Sequence, residues 1–215
     1  MNDVPRIVSI VEGRGESTFN AVPILIRRIA QEIGCYVDSY RTVRTRRDTF
    51  PRSSSERERA LRLARADADP NGAILVLLDS DGEPPCVNRA HRSSLCLLGP
   101  ELLRAVSPLA SGLPIAVVMA EREFEAWFVA AAESLVFSGD LRSGTTAPVN
   151  PDVLHDPKGW LSERMRSRPQ YRPAADQARL TEHFSLQMAR DNSPSFDSAY
   201  QEIERLIRAA YADQA

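Results

Sequence analysis

Up to about residue 136, short unbroken apolar runs alternate with stretches whose apolar residues recur every three or four positions. Residues 6–11 (RIVSIV) are β-branched and stop at Gly13, which predicts a buried strand. Ser17 or Thr18 can cap a following helix, with Val22, Leu25, Ile26 and Ile29 at helical spacing and Gly34 closing it. CYVDSYRTV (35–43) reads as a second strand, and SSERERALRLARADA as a charged helix with Ala60, Leu63 and Ala64 on one side. Asn71-Gly72 turns into AILVLLDSDG, whose continuous apolar run suits a strand covered on both faces. A helix over 95–106, a strand over LPIAVVMAE (113–121) and a helix over EFEAWFVAAAESLV (123–136) complete the series.

Four strand–helix alternations predict an α/β fold, a mainly parallel four-stranded sheet between helices. The turn-rich SGDLRSGTTAPVNP then gives way to helical patterns near 158–167, 174–190 and 195–212, without a strand signal. The expected organisation is a core over residues 1–138 and a helical C-terminal extension over 139–215 packed on it.

Composition narrows the classes. A chain of 215 residues suits one domain with an appendage, and a net charge of −2 places any nucleic-acid surface locally rather than globally. The N-terminus lacks the basic flank and apolar run of a signal peptide, and no apolar stretch reaches the ~18 residues of a membrane span. Three cysteines without metal-ligand spacing fit a reducing cytoplasm, and His91, His155 and His183 are too scattered for zinc. Every basic residue except Lys158 is arginine. Coding bias explains the arginines, and against it the single lysine hints at a specific task.

In a parallel sheet the C-terminal strand ends share one edge, where open α/β folds bind ligands. Strand one ends at Glu12, with Glu16 a turn away; strand three ends in Asp79-Ser80-Asp81, with Glu83 beyond; strand four ends at Glu121, followed by Glu123 and Glu125. Each group has an ordinary explanation alone, as a helix-start acid or a solvated loop. Together they would repel one another unless a cation sat among them, and hard oxygen ligands suit Mg²⁺ or Mn²⁺.

Glu-Gly after a strand, an acid four residues on, and DxD after a later strand resemble the Toprim domain of topoisomerases, primases and overcoming-lysogenization-defect (OLD) nucleases. The resemblance covers residues 6–136 and implies a Toprim/Rossmann-like core with Glu12, Asp79 and Asp81 as its defining acids. It implies Glu16, Glu123 and Glu125 as further metal ligands, Glu12 also as general base, and Lys158 as the lysine that stabilises developing charge; Glu83, just beyond the DxD, is a further candidate ligand by its position. The third motif departs from the OLD nucleases, which commonly carry serine where this chain has glutamate. More narrowly, VEGRGE, LLDSDG, EFEAWF and a late DNSPSF resemble the compact Toprim-like proteins grouped as DUF4276, which implies an ABC/SMC-like ATPase partner and a role in anti-phage defence. The chain has no room for the further domains of a topoisomerase or primase.

Between Arg41 and Arg65 stand nine arginines against three acids. Arg41, Arg44, Arg46 and Arg47 crowd one loop at the acidic rim, as contacts to phosphates of DNA or RNA would. Arg57, Arg59, Arg62 and Arg65 read as a solvated helix face, and RMRSRPQYR (164–172) as either a second basic wall or a surface loop. The expectation is a Mg²⁺- or Mn²⁺-dependent phosphodiesterase. Two alternatives stand beside it. One is a non-catalytic or partner-activated regulatory subunit of an ATPase complex, with Phe196, Ile203, Leu206 and Ile207 docking the partner, forming a homodimer or packing on the core. The other is a nucleotide-binding domain, disfavoured because Gly13-Arg14-Gly15 lacks the third glycine of GxGxxG.

Overall fold

The computed structural model describes residues 4–12, 18–46, 48–68, 71–80, 98–168 and 170–212. β1 (Ile7–Glu12), β2 (Thr42–Thr45), β3 (Ala73–Asp79) and β4 (Ile115–Ala120) form one sheet in the order β2-β1-β3-β4, parallel throughout. Between and after them lie α1 (Thr18–Glu32), α2 (Ser54–Ala68), α3 (Leu98–Val106), α4 (Glu125–Ala130), α5 (Ala132–Phe137), α6 (Pro157–Arg164), α7 (Pro173–His183), α8 (Leu186–Asn192) and α9 (Pro194–Ala212).

Alternation along each central strand sends neighbouring side chains into two different cores. Ile7, Val11, Leu75 and Leu77 pack with α1 and the C-terminal helices, whereas Val8, Ile10, Ile74, Val76 and Leu78 pack with α2 and α3. Both faces are therefore dry, which is why the strands show no polar alternation. The C-terminal extension shares the first of these cores, and Phe196, Ile203, Leu206 and Ile207 of α9 are fully buried there. Of the roles open to that stripe, packing on the core is the one observed. Among the described residues no helix is long and apolar enough to cross a membrane.

Three element boundaries differ from expectation. The second strand begins at Thr42, because residues 35–41 run along the sheet edge with only a single bridge, Arg6 to Asp38. Tyr36 and Tyr40 of that segment are exposed, so their β-forming character reflects an edge rather than a paired strand. The expected helix 123–136 breaks at Ala131 into α4 and α5; every residue of α4 is buried, leaving no polar face to mark its period. The expected helix 174–190 breaks at Phe184 and restarts where Ser185 caps α8 through the N–H of Met188. On α2 the buried positions are Ala60, Leu61, Ala64 and Ala68, while Leu63 is exposed.

Strand order fixes where a ligand would sit. From β1 the chain turns through α1 to β2 on one side; from β3 it turns through α3 to β4 on the other. Connections that diverge from adjacent parallel strands open a crevice at their C-terminal ends. Glu12 and Asp79 stand at that divergence.

Candidate active site

Val11 pairs with Leu77, so Glu12 comes level with Leu78 and Asp79 follows one residue later; both end their strands at the C-terminal edge, close enough for the Glu12 charge to act on Asp79. Asp79 Oδ1 accepts the Phe124 N–H at 2.9 Å, and Ser80 Oγ accepts that of Arg122 at 2.8 Å, tying the end of β3 to the turn after β4. That turn is tight. Glu123 N–H reaches back to Glu121 C=O at 2.8 Å across Arg122, whose φ of 57° is rare for a residue with a side chain. Such local strain clusters at functional sites, and here it brings Glu123 and Glu125 back over the sheet edge. Beneath them Phe124, Trp127 and Phe128 point inward as expected and stack edgewise with Phe184 and Phe196, a rigid floor for the turn.

Lys158 arrives from the far end of the chain. Asp156 caps α6 by accepting the Gly159 N–H at 2.7 Å, and Pro157 starts the helix, placing Lys158 in its first turn. A Cβ on Gly159 would lie 2.1 Å from Asp156 Oδ2, so the cap closes over a bare glycine. From there Lys158 Nζ lies 2.8 Å from Glu123 Oε1 and 3.2 Å from Glu125 Oε2. The other Glu125 oxygen accepts from Tyr171 Oη at 3.0 Å and Gln177 Nε2 at 3.3 Å. Thus the lysine singled out by composition meets the acids of the EFEAW stretch. Tyr171 and Gln177 carried no sequence signal, since neither belongs to a motif and nothing local shows that they converge on Glu125.

Electrostatics mark this cluster as strained. Burial, then the charges of Glu125 and Glu12, push Asp79 up to about 8 against the pull of Lys158 and the Phe124 N–H. Burial also raises Glu125, with Glu123 adding to it and Lys158 opposing. At Lys158 the balance is reversed: burial works against the ammonium, but Glu125, Glu123 and Asp79 outweigh it and hold its pKa above the ordinary value. Lys158, in short contact with both glutamates, is thereby held as the ammonium. Tyr171, buried against Glu125, is raised well above its usual range and stays a hydrogen-bond donor.

A second polar group supports the turn from behind. Asp152 accepts from Ser193 Oγ at 2.6 Å and from the Ser195 N–H at 3.0 Å. Ser195 Oγ accepts the N–H groups of Glu121 and of the Trp127 indole, at 3.0 and 3.2 Å. This is the structural role of the DNSPSF stretch: it locks the start of α9 to the turn after β4. Burial, then the nearby Asp152, raises Glu121 to about 7, with Arg122 opposing.

Of the expected site residues, Glu12, Asp79, Glu123, Glu125 and Lys158 converge; Glu16, Asp81, Glu83 and Arg47 lie outside the described residues. Among the described residues no three His, Cys, Asp or Glu side chains are grouped as a metal cluster. Glu123 and Glu125, expected as metal ligands, are engaged by Lys158. The donor set nevertheless fits a hard cation. Among the described residues Asp79 accepts one backbone N–H, through Oδ1, and Glu123 Oε2 is buried without a hydrogen-bond partner. Magnesium typically takes one or two carboxylates and leaves its other positions to water and phosphate.

The basic residues divide. Arg44 and Arg46 line a cavity beside β2, and Arg41 is exposed outside it. In the 164–172 run, Arg164 stacks on Trp160 and Arg168 pairs with Asp176, so these two serve the fold. Arg59, expected on a solvated face, bonds both Glu56 oxygens and the Arg44 carbonyl.

The chain belongs to the family described as a domain of unknown function, DUF4276, whose family model matches residues 11–204. No curated protein and no solved structure matches it.

Proposed function

We propose that this protein is a Toprim-type phosphodiesterase that cleaves DNA or RNA with the help of Mg²⁺ or Mn²⁺, as the effector of an ATPase-associated anti-phage defence system. The observation that carries the reading is the meeting of Glu12, Asp79, Glu123, Glu125 and Lys158, from four separate elements, at the crevice between β1 and β3. Carboxylates crowded until one is pushed to about 8 favour an added cation.

Glu12 and Asp79 would hold the ion, with Asp81 and Glu16 the next acids in sequence. Such an ion supplies charge neutralisation at a phosphoryl oxygen and a water acidic enough to attack near neutral pH. Glu12 takes the proton of the attacking water. Lys158, held charged by Glu123 and Glu125, offers its ammonium to the charge that develops on the phosphoryl oxygens. Tyr171 and Gln177 fix Glu125, and through it the lysine.

The test is cleavage of supercoiled plasmid and of tRNA with Mn²⁺ or Mg²⁺, by the protein alone and with its ATPase partner. The expected result is metal-dependent cutting that is lost in the Glu12→Ala, Asp79→Ala double variant. Cutting undiminished in that variant would place the chemistry elsewhere.

A further inference from the structure

One cavity lies outside the carboxylate cluster yet beside it. It has a volume of about 450 Å³ and is lined by Arg44, Arg46, Arg59, Thr49, Ser53 and Ser55. Thr45 and Glu56 complete the wall. We propose that this cavity is a phosphate-binding subsite that grips the sugar–phosphate backbone of a nucleic-acid strand next to the carboxylate rim. The inference rests on the phosphodiesterase reading for its substrate class and adds to it a particular place for the strand.

The local sequence builds the cavity in three steps. Arg46 C=O accepts the N–H groups of Thr49 and Phe50, at 3.2 and 2.8 Å, so the chain turns sharply once it leaves β2. Phe50 is fully buried in the core shared with α2, which anchors the turn and brings Thr49 and Ser53 back toward the arginines. Ser53 then caps α2 by accepting the Glu56 N–H at 3.3 Å, and its hydroxyl meets that of Ser55 at 2.9 Å. The first turn of a 15-residue helix therefore faces the same space, and its dipole adds to the positive field.

The chemistry selects an anion. Among the described residues three arginines and one carboxylate line the cavity, and that carboxylate is already occupied: Glu56 accepts two bonds from Arg59, at 2.8 and 2.7 Å, and one from Thr45 Oγ1 at 2.9 Å. Those bonds, Arg59 foremost, hold Glu56 below the usual carboxylate range, so it stays charged and keeps Arg59 aimed rather than competing for ligand. Arginine forks and serine or threonine hydroxyls are the groups that contact phosphate oxygens. Among the described residues the wall is built of arginine, hydroxyl and carboxylate side chains, which contact phosphate oxygens without reading a base, so the grip is expected to be indifferent to sequence.

Position ties the cavity to the acids. Thr45 is the register partner of Glu12, and paired strands lie about 4.8 Å apart. A strand whose phosphate enters between Arg44 and Arg46 lies along the sheet edge beside Glu12. Its neighbouring phosphates then fall toward Asp79.

The experiment measures binding without cleavage. Fluorescence anisotropy in EDTA follows a 3′-labelled 12-nucleotide strand, with and without a 5′-phosphate, across a series of salt concentrations. Arg46→Ala is expected to weaken binding about tenfold, equally for unrelated sequences, and to lower the salt slope by about one; Arg46→Lys restores the slope and only part of the affinity. Equal loss on both strands places an interior phosphate in the cavity, and loss confined to the phosphorylated strand places a terminal one. Affinity and slope unchanged in Arg46→Ala and in an Arg44→Ala, Arg46→Ala pair would overturn the subsite. Because binding is read without metal, a protein that binds through Arg46 yet fails to cut when Mn²⁺ and its ATPase partner are supplied sinks the phosphodiesterase reading and leaves the subsite standing.

Discussion

Two sets of buried carboxylates in this molecule are treated in opposite ways. In the C-terminal helices, Asp176 accepts from Arg168 at 2.5 Å, from Arg179 at 3.0 Å and from the Arg172 N–H at 2.8 Å. Asp140 is enclosed by Arg179, by His183 at 2.7 Å and by Ser138 at 2.6 Å. At the strand ends, one ammonium among the described residues, that of Lys158, faces Asp79, Glu123 and Glu125 together. A buried acid with its own guanidinium groups and N–H donors serves the fold. One that shares a single cation with two others stores repulsion that a ligand can relieve, and that difference separates structural acids from candidate catalytic ones.

The sharpest way to break this contrast is to remove one acid from each set. Asp79→Ala is expected to lower metal-dependent cleavage by about 10²–10³-fold, the usual effect of losing a group that stabilises transition-state charge, measured as initial rates on plasmid at equal folded concentration. Asp176→Ala should instead destabilise the fold. Breaking a buried pair typically costs 3–5 kcal/mol, and because Arg168 and Arg179 are about one-third exposed, about 2–3 kcal/mol is expected. Urea unfolding reads this as a lower midpoint, with cleavage per folded molecule retained. Equal stability loss in the two variants would erase the distinction.

A pH series sharpens it further. An aspartate titrates near 3.9 in the unfolded chain, and in the fold Asp79 is raised to about 8 by burial and by its acidic neighbours. Between those values the folded state holds a proton on Asp79 that the unfolded state has released, so the contribution of Asp79 to stability is fullest below about pH 4 and is lost as pH rises to about 8. Relative to Asp79→Asn, melting of the parent protein in EDTA is expected to drop by about 2–4 °C or more over this window. Asp79→Asn keeps the acceptor for the Phe124 N–H and removes this group's titration, and Mg²⁺ should restore the parent protein's stability at the alkaline end. A difference between the parent and Asp79→Asn that stays constant or grows in the parent's favour through the window would contradict the proposed crowding. The smallest effect belongs to Tyr171→Phe. It removes one of two donors to Glu125 Oε1, with an expected loss of about 1 kcal/mol and less than tenfold in rate, read by melting and initial rates on the same preparation.

Much of the frame was legible because it follows from local patterning. Strands buried on both faces must be apolar throughout, so β1, β3 and β4 stood out, and an acid after such a run has to emerge at the C-terminal edge. Glu12 and Asp79 were found in this way. The edge strand β2 was misplaced by a few residues, since an edge relaxes the burial that makes a strand recognisable. Helix α4 hid its end for the opposite reason, being buried on every side. Asp152 and Ser195 carried no legible role, because their partners lie more than forty positions away along the chain, and Ser193, which caps α9 locally through the Phe196 N–H, showed nothing of its bond to Asp152. Arg59 looked like an ordinary helix-surface charge until the turn anchored by Phe50 closed the cavity around it.

The sequence by itself determined the alternation of strand and helix, the sheet edge at which the acids emerge and the singularity of Lys158, because these depend on residue type and nearest neighbours along the chain. Tertiary structure alone decided that Lys158 bridges Glu123 and Glu125, that Tyr171 and Gln177 hold the second of them, and that Arg44, Arg46 and Arg59 share one cavity. Proximity between distant segments depends on how two cores pack on a common sheet, and no local spacing encodes it.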